Sequence, residues 1–310
     1  MGIHPITALM SALGVLTAVY IAGWARAVAA VRGLARREPS PATDARFPTA
    51  PMIGLGFATN FFDALGIGSF ATSTAAFRLF KMVPDRVIPG TLNAGHTLPT
   101  VAQAFIFTAV IPVDILTLLS MIVAAVLGAW LGAGVVAHWS KRRVQLGMGL
   151  ALLAAAGFMV MKQYGAFPAG SGAVGVRGLQ LVLAIAGNFA LGALMTLGIG
   201  LYAPCMVLVS LLGMSERTAF PIMMGSCAFL MPIGSLRFIR EQSYSLRVAL
   251  GLAIGGIFGS IVAGVWVKTL DLRTVRWLVI AVVLYTAVTM IASALSDSKT
   301  PEAAPAKARA

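Results

Sequence analysis

Asp63 is the acidic residue whose surroundings most suggest chemistry. Most of the ten acidic residues lie in loops or tails, whereas Asp63 lies in a long apolar stretch, just before Gly66-Ile67-Gly68. An ionisable group in such surroundings is energetically expensive and is therefore a functional candidate. Two compatible roles follow from its position: Asp63 carries a coupling proton, or its carboxylate caps the helix segment that follows by accepting its free N–H groups.

His96 is the second titratable candidate, because it lies inside the apolar stretch 87–110. An imidazole titrates near neutral pH, so His96 is suited to relay protons with Asp63 or to donate a hydrogen bond to a substrate. The alternative is a packed, hydrogen-bonded side chain with a structural role. The sequence leaves both interpretations open.

Both residues belong to a sequence that repeats itself. Leu65-Gly66-Ile67-Gly68 returns as Leu197-Gly198-Ile199-Gly200, a shift of 132 positions. Further matches occur at a shift of 132 or 131 positions: Phe57 with Phe189, Pro89 with Pro221, Gly128 with Gly259, and Val144 with Val275. A repeat of this size predicts two similar halves, which in membrane transporters are commonly inverted relative to each other.

Polar side chains are concentrated in the first half of the repeat. They are Asn60, Ser69, Thr72, Ser73, Thr91, Asn93, Thr97 and Gln103. Their equivalents in the second half are Gly192, Leu201, Pro204, Cys205, Met223, Gly225, Phe229 and Ser235, of which only the last keeps a strongly polar side chain. We therefore expect an asymmetric site in which the first half supplies most of the chemistry. The alternative is that these groups only tie helices together by hydrogen bonds.

The composition places the chain in a membrane. Hydrophobic residues make up 59% of its 310 residues, charged residues make up 11%, and the mean hydropathy is +0.90. The formal charge of +13 resides on Lys and Arg at the ends of apolar stretches and in loops, as in membrane proteins, and not in a nucleic-acid-binding surface. Cys205 and Cys227 have no metal-binding or redox spacing, and Met206, Met223, Met224 and Met231 are interpreted as core residues. We expect no cofactor and no metal site.

Two apolar stretches have unusual lengths. Residues 53–80 and 181–212 contain 28 and 32 residues, so as single helices they would be about 42 and 48 Å long. The hydrocarbon core is about 30 Å thick, and two full crossings need about 40 residues. A re-entrant hairpin of two half-helices, broken at the Gly-Ile-Gly segment, fits both lengths. The alternative is that these glycines let tilted helices pack closely.

The distribution of positive charge favours these hairpins. If each half contains a hairpin and three crossings, 17 Lys and Arg lie inside and 6 outside, with the N-terminus outside and the C-terminus in the cytoplasm. If each long stretch crosses the membrane fully, the split becomes 13 to 10. Positive residues accumulate on the cytoplasmic side, so the first arrangement is preferred. An odd number of crossings in each half makes the two halves point in opposite directions.

The predicted fold is an all-α polytopic membrane protein with two inverted repeats. Each repeat consists of a broken re-entrant hairpin and three transmembrane helices, and one further helix precedes them. The predicted segments are 1–24 (N-terminal transmembrane helix), 25–48 (basic cytoplasmic connector), 49–161 (first repeat), 162–178 (linker), 179–295 (second repeat) and 296–310 (disordered tail).

The motifs resemble those of the TauE/SafE family of membrane permeases. The resemblance covers about residues 50 to 295 and rests on Asp63-Ala-Leu-Gly-Ile-Gly68, Ile88-Pro-Gly-Thr-Leu-Asn-Ala-Gly-His96, Leu127-Gly-Ala-Trp-Leu-Gly-Ala-Gly134, Leu197-Gly-Ile-Gly200 and Ala219-Phe-Pro-Ile-Met-Met-Gly-Ser226. It implies secondary transport of a sulfur-containing anion, such as sulfite or an organosulfonate, across a bacterial inner membrane, with possible coupling to protons. The residues that follow each break depart from the family pattern, which leaves the substrate open.

We expect a small anionic solute to bind between the two breaks, in contact with membrane-embedded helices. Helix N-termini after Gly68 and Gly200 would hold the anion, because no Lys or Arg lies in the middle of a span. The predicted substrate-binding residues are Asn60, Gly66, Gly68, Ser69, Thr72, Asn93, His96, Thr97, Gly198, Gly200, Gly225 and Ser226; the predicted proton-coupling residues are Asp63 and His96.

Transport has two alternatives. A membrane-embedded enzyme acting on a lipid or a quinone needs a compact set of His, Asp or Cys groups, and this chain has three His residues in all. An interaction protein without transport activity gives no reason for polar groups to cluster at the breaks. We therefore expect a transporter and not an enzyme.

Overall fold

A computed structural model describes residues 5–32, 40–136, 141–164, 172–195, 200–269 and 271–296. Almost all of them are helical. The predicted substrate contact Gly198, the middle of the predicted linker and the predicted disordered tail beyond residue 296 lie outside the described residues.

Eleven α-helices follow one another along the described residues. They are α1 (Pro5–Arg32), α2 (Ala50–Ala64), α3 (Ser69–Leu79), α4 (Ile88–Val110), α5 (Ile115–Val136), α6 (Lys141–Gln163), α7 (Gly178–Met195), α8 (Tyr202–Leu211), α9 (Ala219–Arg240), α10 (Leu246–Thr269) and α11 (Leu272–Ser296). The first helix continues to Arg32, so the first part of the predicted connector is helical.

Five of the described helical segments are long and apolar enough to cross a membrane. They are Pro5–Ala30, Gly178–Met195, Glu216–Arg240, Leu246–Trp266 and Arg273–Ser296. Long apolar helices with their backbone hydrogen bonds satisfied internally are what a bilayer requires of a spanning segment. The chain is therefore an all-α protein with the features of a multi-pass membrane protein.

The first long apolar stretch is broken at the predicted position. Helix α2 ends at Ala64 and α3 begins at Ser69. Between them Gly66 has φ +97° and Gly68 has φ +87°, conformations that residues with a side chain rarely adopt. Gly66 also lies directly against the Met206 side chain, since a Cβ atom on Gly66 would be 1.9 Å from the Met206 methyl group.

The second long stretch divides less evenly than expected. Helix α7 starts at Gly178, ends at Met195 and has 18 residues, which is long enough to cross a membrane by itself. Helix α8 has only 10 residues and starts at Tyr202. Helix α7 begins at Gly178, three residues before the predicted stretch, and this glycine has φ +56°. The two predicted halves are therefore unequal in length.

The closest helix pairs join different halves of the sequence. Helix α2 lies along α10, where Cβ atoms on Gly255 and Gly259 would lie 1.9 and 2.2 Å from the carbonyl oxygens of Ile53 and Phe57. Helix α5 lies along α7 in the same way, because a Cβ atom on Gly128 would lie 1.9 Å from the carbonyl oxygen of Phe189. Gly128 and Phe189 are the sequence equivalents of Gly259 and Phe57.

The remaining helices complete this arrangement. Helix α4 packs on both α10 and α9, α9 packs on α5, and α6 packs on α11. The N-terminal helix α1 lies mainly against α9. The interior is filled by buried aliphatic, Met and Phe side chains from both halves of the chain.

Two short segments fasten the α2–α10 and α5–α7 pairs. In the segment before α2, the carbonyl oxygens of Pro41 and Phe47 accept hydrogen bonds from the backbone N–H of Leu246 and the guanidinium of Arg247. In the segment before α7, the two terminal nitrogens of the Arg177 guanidinium donate to the Asp114 carboxylate at 2.6 and 2.7 Å. Each helix pair is thus tied at the start of α10 or α5.

Candidate functional site

Asp63 caps the half-helix that follows the first break. Its side chain is buried, and one carboxylate oxygen accepts the backbone N–H of Ser69 at 2.6 Å. Ser69 is the first residue of α3, and the N-cap position before it is Gly68, which has no side chain to do this. The carboxylate of Asp63 reaches the position because the turn between the two helices folds back. The predicted capping role is present.

The other carboxylate oxygen of Asp63 faces donors from two more helices. The Gln103 amide nitrogen lies 3.1 Å away on α4, and the Tyr202 hydroxyl lies 3.5 Å away on α8. Gln103 also donates to the Ser260 hydroxyl of α10 at 3.1 Å. The Tyr202 hydroxyl is also 3.4 Å from the Gln103 amide oxygen, so the two residues that face the Asp63 carboxylate are themselves within hydrogen-bonding distance of each other. Asp63, Gln103, Tyr202 and Ser260 together form the Asp63 cluster.

The Asp63 cluster brings the starts of the two short helices α3 and α8 together. Tyr202 is the first residue of α8, and Met206 lies one turn later. Met206 is buried against Gly66 of the first break, while Tyr202 reaches Asp63. The starts of the two short helices α3 and α8 therefore converge on one carboxylate.

His96 lies in a separate hydrogen-bonded chain beside the cluster. Its Nδ1 is 3.1 Å from the Asn60 side-chain oxygen, and its Nε2 is 2.9 Å from the Ser73 hydroxyl. The Asn60 amide nitrogen donates to the carbonyl oxygen of Gly56, which turns its oxygen towards the imidazole. Nδ1 therefore carries the proton of a neutral His96, and the Ser73 hydroxyl donates to Nε2.

The connection between His96 and Asp63 is indirect. Both ring nitrogens of His96 already have partners, and the Gln103 amide nitrogen lies 3.4 Å from the backbone carbonyl oxygen of Asn60. Asn60 and Gln103 thus stand between the two titratable groups. A proton relay between His96 and Asp63 stays a prediction, and its route would pass through these amides.

Several other predicted substrate contacts serve their own helices. The Thr72 hydroxyl donates to the carbonyl oxygen of Ser69 at 3.0 Å, and the Asn93 side chain donates to that of Pro89 at 2.9 Å. Thr97 donates to the carbonyl oxygen of Asn93 and lies 2.7 Å from the Ser235 hydroxyl of α9. These bonds agree with the alternative in which hydroxyls and amides tie helices together.

Gly225 and Ser226 lie in another buried group, where α5, α7 and α9 meet. The Ser226 hydroxyl accepts a hydrogen bond from the Asn188 amide nitrogen, which also donates to the carbonyl oxygen of Met121. A Cβ atom on Gly225 would touch the Ile122 side chain. Gly200, in contrast, precedes α8 and has open space around the position of a Cβ atom. The eleven predicted contacts that the structure describes are therefore distributed over several places.

Three members of the Asp63 cluster were missed as site residues. Gln103 was among the polar residues of the first half, and its equivalent Ser235 is the only strongly polar one in the second half. That retained polarity was a usable signal. Tyr202 directly follows the second Gly-Ile-Gly segment and was also detectable by position. Ser260 has no local signal, because its role depends on packing between residues 157 positions apart.

The described residues contain no group of three or more His, Cys, Asp or Glu side chains that could hold a metal ion. Cys205 and Cys227 are free thiols, and both are buried. The Cys227 sulfur lies 3.7 Å from that of Met195.

No family model, curated protein or solved structure matches this chain. The resemblance to TauE/SafE permeases accordingly rests on the glycine motifs of the sequence. What the protein does has to be inferred from its buried polar groups and from the way its helices pack.

Proposed function

We propose that this protein is a secondary transporter that moves a small anion, sulfite or an organosulfonate, across a bacterial inner membrane by alternating access and coupled to protons. The observation that carries the proposal is the Asp63 cluster. A buried carboxylate at a helix break, bound by residues from both halves of the chain, is the kind of group that membrane proteins keep for ion or proton coupling.

The repeated helix packing supports alternating access. The contact of Gly259 with Phe57 recurs as the contact of Gly128 with Phe189, between equivalent positions of the two halves. Two halves that pack alike form an inverted pair if each contains an odd number of crossings, the arrangement that the charge distribution favours. In such a pair the site at the repeat interface opens to one side and then to the other.

The position of Asp63 gives a physical reason for proton coupling. A half-helix N-terminus attracts an anion, but the N-terminus of α3 already holds the Asp63 carboxylate. An ionised Asp63 would repel a second anion at this position. A protonated Asp63 would not, so an anion and a proton would enter the site together.

The runner-up is a membrane-embedded enzyme acting on a lipid or a quinone. General acid or base chemistry needs a titratable group that is free to exchange a proton with the substrate. His96 has both ring nitrogens engaged, with Ser73 and with Asn60. Cys205 and Cys227 are buried in apolar surroundings. Transport, unlike an enzyme reaction, does not require these side chains to form or break bonds in a substrate.

The proposed orientation follows the charge distribution. With the N-terminus outside and the C-terminus in the cytoplasm, 17 of the 23 Lys and Arg residues lie inside. Fusing a reporter that is active only in the cytoplasm to the C-terminus would test this orientation.

Uptake into membrane vesicles tests the function. The purified protein is reconstituted, and accumulation of radiolabelled sulfite and of short-chain organosulfonates is followed with an imposed proton gradient. Controls are protein-free vesicles and vesicles in which a protonophore has collapsed the gradient. We expect gradient-dependent accumulation of at least one of these anions. If none of them enters faster than into protein-free vesicles under any gradient, the proposed transport function is wrong.

A further inference from the structure

The pattern of helix contacts indicates which parts of the protein move together, an inference that rests on the proposed function. We propose that the two moving bodies are formed across the repeats. One body is built on α2 and α10, and the other is built on α7 and α5. Each body therefore takes helices from both halves of the sequence, so that neither repeat moves as a unit.

The contact between α2 and α10 is made by backbone atoms. The glycines of α10 lie so close to α2 that Cβ atoms on Gly255 and Gly259 would overlap the carbonyl oxygens of Ile53 and Phe57. In the other direction, a Cβ atom on Gly56 of α2 would lie 2.7 Å from the Cα of Leu252. Helices in backbone contact have no side chains that can rearrange, so they resist sliding and rotate as one.

The same contact recurs between α5 and α7. Cβ atoms on Gly128 and Gly192 would lie 1.9 and 2.1 Å from the carbonyl oxygens of Phe189 and Ala125. The Asn188 amide nitrogen also donates to the carbonyl oxygen of Met121 across this pair. Both bodies are thus built around one glycine-mediated pair of helices.

Each body is also tied at its end by the segment that precedes its hairpin. The segment before α2 binds the start of α10 through the Leu246 N–H and Arg247. The segment before α7 binds the start of α5 through the Arg177–Asp114 ion pair, and the Asp114 N–H donates to the carbonyl oxygen of Val174. These ties join one half of the sequence to the other, as the helix pairs do.

Between the two bodies lie α4, which packs on α10, and α9, which packs on α5. Helices α4 and α9 meet through side chains, with Phe107 stacked on Phe220 at 5.2 Å between ring centres and Thr97 bonded to Ser235. Side-chain contacts of this type can re-form in a second arrangement when two packed bodies shift. A long hydrogen bond runs from Tyr202 of α8, the helix that follows α7, to Asp63 of α2. Parting of the bodies at the breaks would free the carboxylate from Tyr202.

Four exposed helix positions allow a direct test. Ala50 lies on α2, Val262 on α10, Val182 on α7 and Leu131 on α5, and all four are exposed. Ala50 is equivalent to Val182, and Leu131 to Val262, in the sequence repeat. In the register set by Gly251 beside Met52, Ala50 and Val262 are separated along the helices by about 18 Å, a range that paired spin labels measure.

Double cysteine variants at these positions carry the labels, and the buried native thiols Cys205 and Cys227 remain in place. The pairs A50C/V262C and V182C/L131C report distances inside each proposed body. The pairs A50C/L131C and V182C/V262C report distances inside each repeat. Distances are measured in lipid nanodiscs at pH 5 and pH 8, with and without sulfite. The protein without introduced cysteines, treated with the same spin label, controls for reaction of the label at the native thiols.

We expect the distances inside the bodies to stay fixed while the distances inside the repeats change by about 5 Å, the size of a one-turn shift. Fixed repeat distances with changing body distances, or no change in any pair under any condition, would overturn the proposal. Vesicle uptake separates this result from the proposed function. Transport by a protein whose repeats move as units would refute only the composition of the bodies, whereas absence of transport would refute the function.

Discussion

Asp63→Asn separates the capping role of Asp63 from its proposed role in proton coupling. The introduced amide keeps an oxygen that can accept the Ser69 N–H, but it has no proton to exchange in the physiological range. Asp63→Ala is the matched variant, because it removes both the cap and the ionisable group. We expect Asp63→Asn to fold normally, to lose gradient-driven accumulation and to retain exchange of labelled for unlabelled solute.

The structure gives the size of the expected stability effects. In Asp63→Ala the Ser69 N–H loses its partner, whereas Gln103 keeps Ser260 and Tyr202 keeps Gln103. One buried N–H without an acceptor costs about 1–3 kcal/mol. In Asp63→Asn the cap remains and the Gln103 amide can turn round to bond the new NH₂ group. We expect that variant to lose less than about 1 kcal/mol.

Thermal unfolding of the purified variants and transport by reconstituted vesicles check the two expectations separately. Unfolding should place Asp63→Asn near the wild-type protein and Asp63→Ala clearly below it. Equal destabilisation by both variants would show that the cap is not what Asp63 contributes to the fold. Accumulation at the wild-type level by Asp63→Asn would remove Asp63 from the coupling mechanism.

Three further predictions concern helix packing, the cluster and the outer ion pair. Gly255→Ala should lower the melting temperature, because the new Cβ would lie 1.9 Å from the Ile53 carbonyl oxygen and ordinary contact begins at 3.4 Å, so α2 and α10 must separate by about 1.5 Å. The control Gly54→Ala, in open space on α2, should be neutral or stabilising by up to about 1 kcal/mol. Equal effects of the two substitutions would contradict the packing argument. Tyr202→Phe should leave the melting temperature nearly unchanged and slow uptake about 2- to 10-fold, the equivalent of one net hydrogen bond; an unchanged uptake rate would exclude a role for the hydroxyl. Asp114→Asn should lower the melting temperature equally at pH 5 and pH 8, because the Arg177 guanidinium holds the pKa of Asp114 well below its usual range. The stabilisation by this ion pair is present above the unfolded-state pKa of Asp114 and is lost only as the pH falls towards the folded-state pKa. A smaller loss of melting temperature at pH 5 than at pH 8 would contradict this reasoning.

The helical membrane fold and the first helix break could be predicted from the sequence. Both depend on local signals: long apolar stretches, and glycines at Gly66 and Gly68, where the structure has positive φ angles. The alternative role of Asp63 as a helix cap was also a local inference, since Ser69 lies only six residues further along the chain.

The partners of Asp63 could not be predicted to the same degree. Tyr202 and Ser260 reach the cluster from residues far away in sequence, and their arrival depends on α8 and α10 packing against the first half. Thr72 and Asn93, in contrast, are predicted substrate contacts whose side chains bond to their own helices. Their polarity suggested a site, but a threonine or asparagine can satisfy itself on the preceding helical turn, and polarity alone does not reveal this.

The pairing of α2 with α10 has a consequence for how the chain is made. The contact between Phe57 and Gly259 cannot form until the ribosome has added Gly259, 202 residues after Phe57. At ordinary rates of synthesis this takes roughly 10 to 40 s. During that interval α2 lacks the helix whose glycines contact the carbonyl oxygens of Ile53 and Phe57. A chain that terminates before Leu246 would therefore lack α10 altogether and leave α2 permanently without this partner.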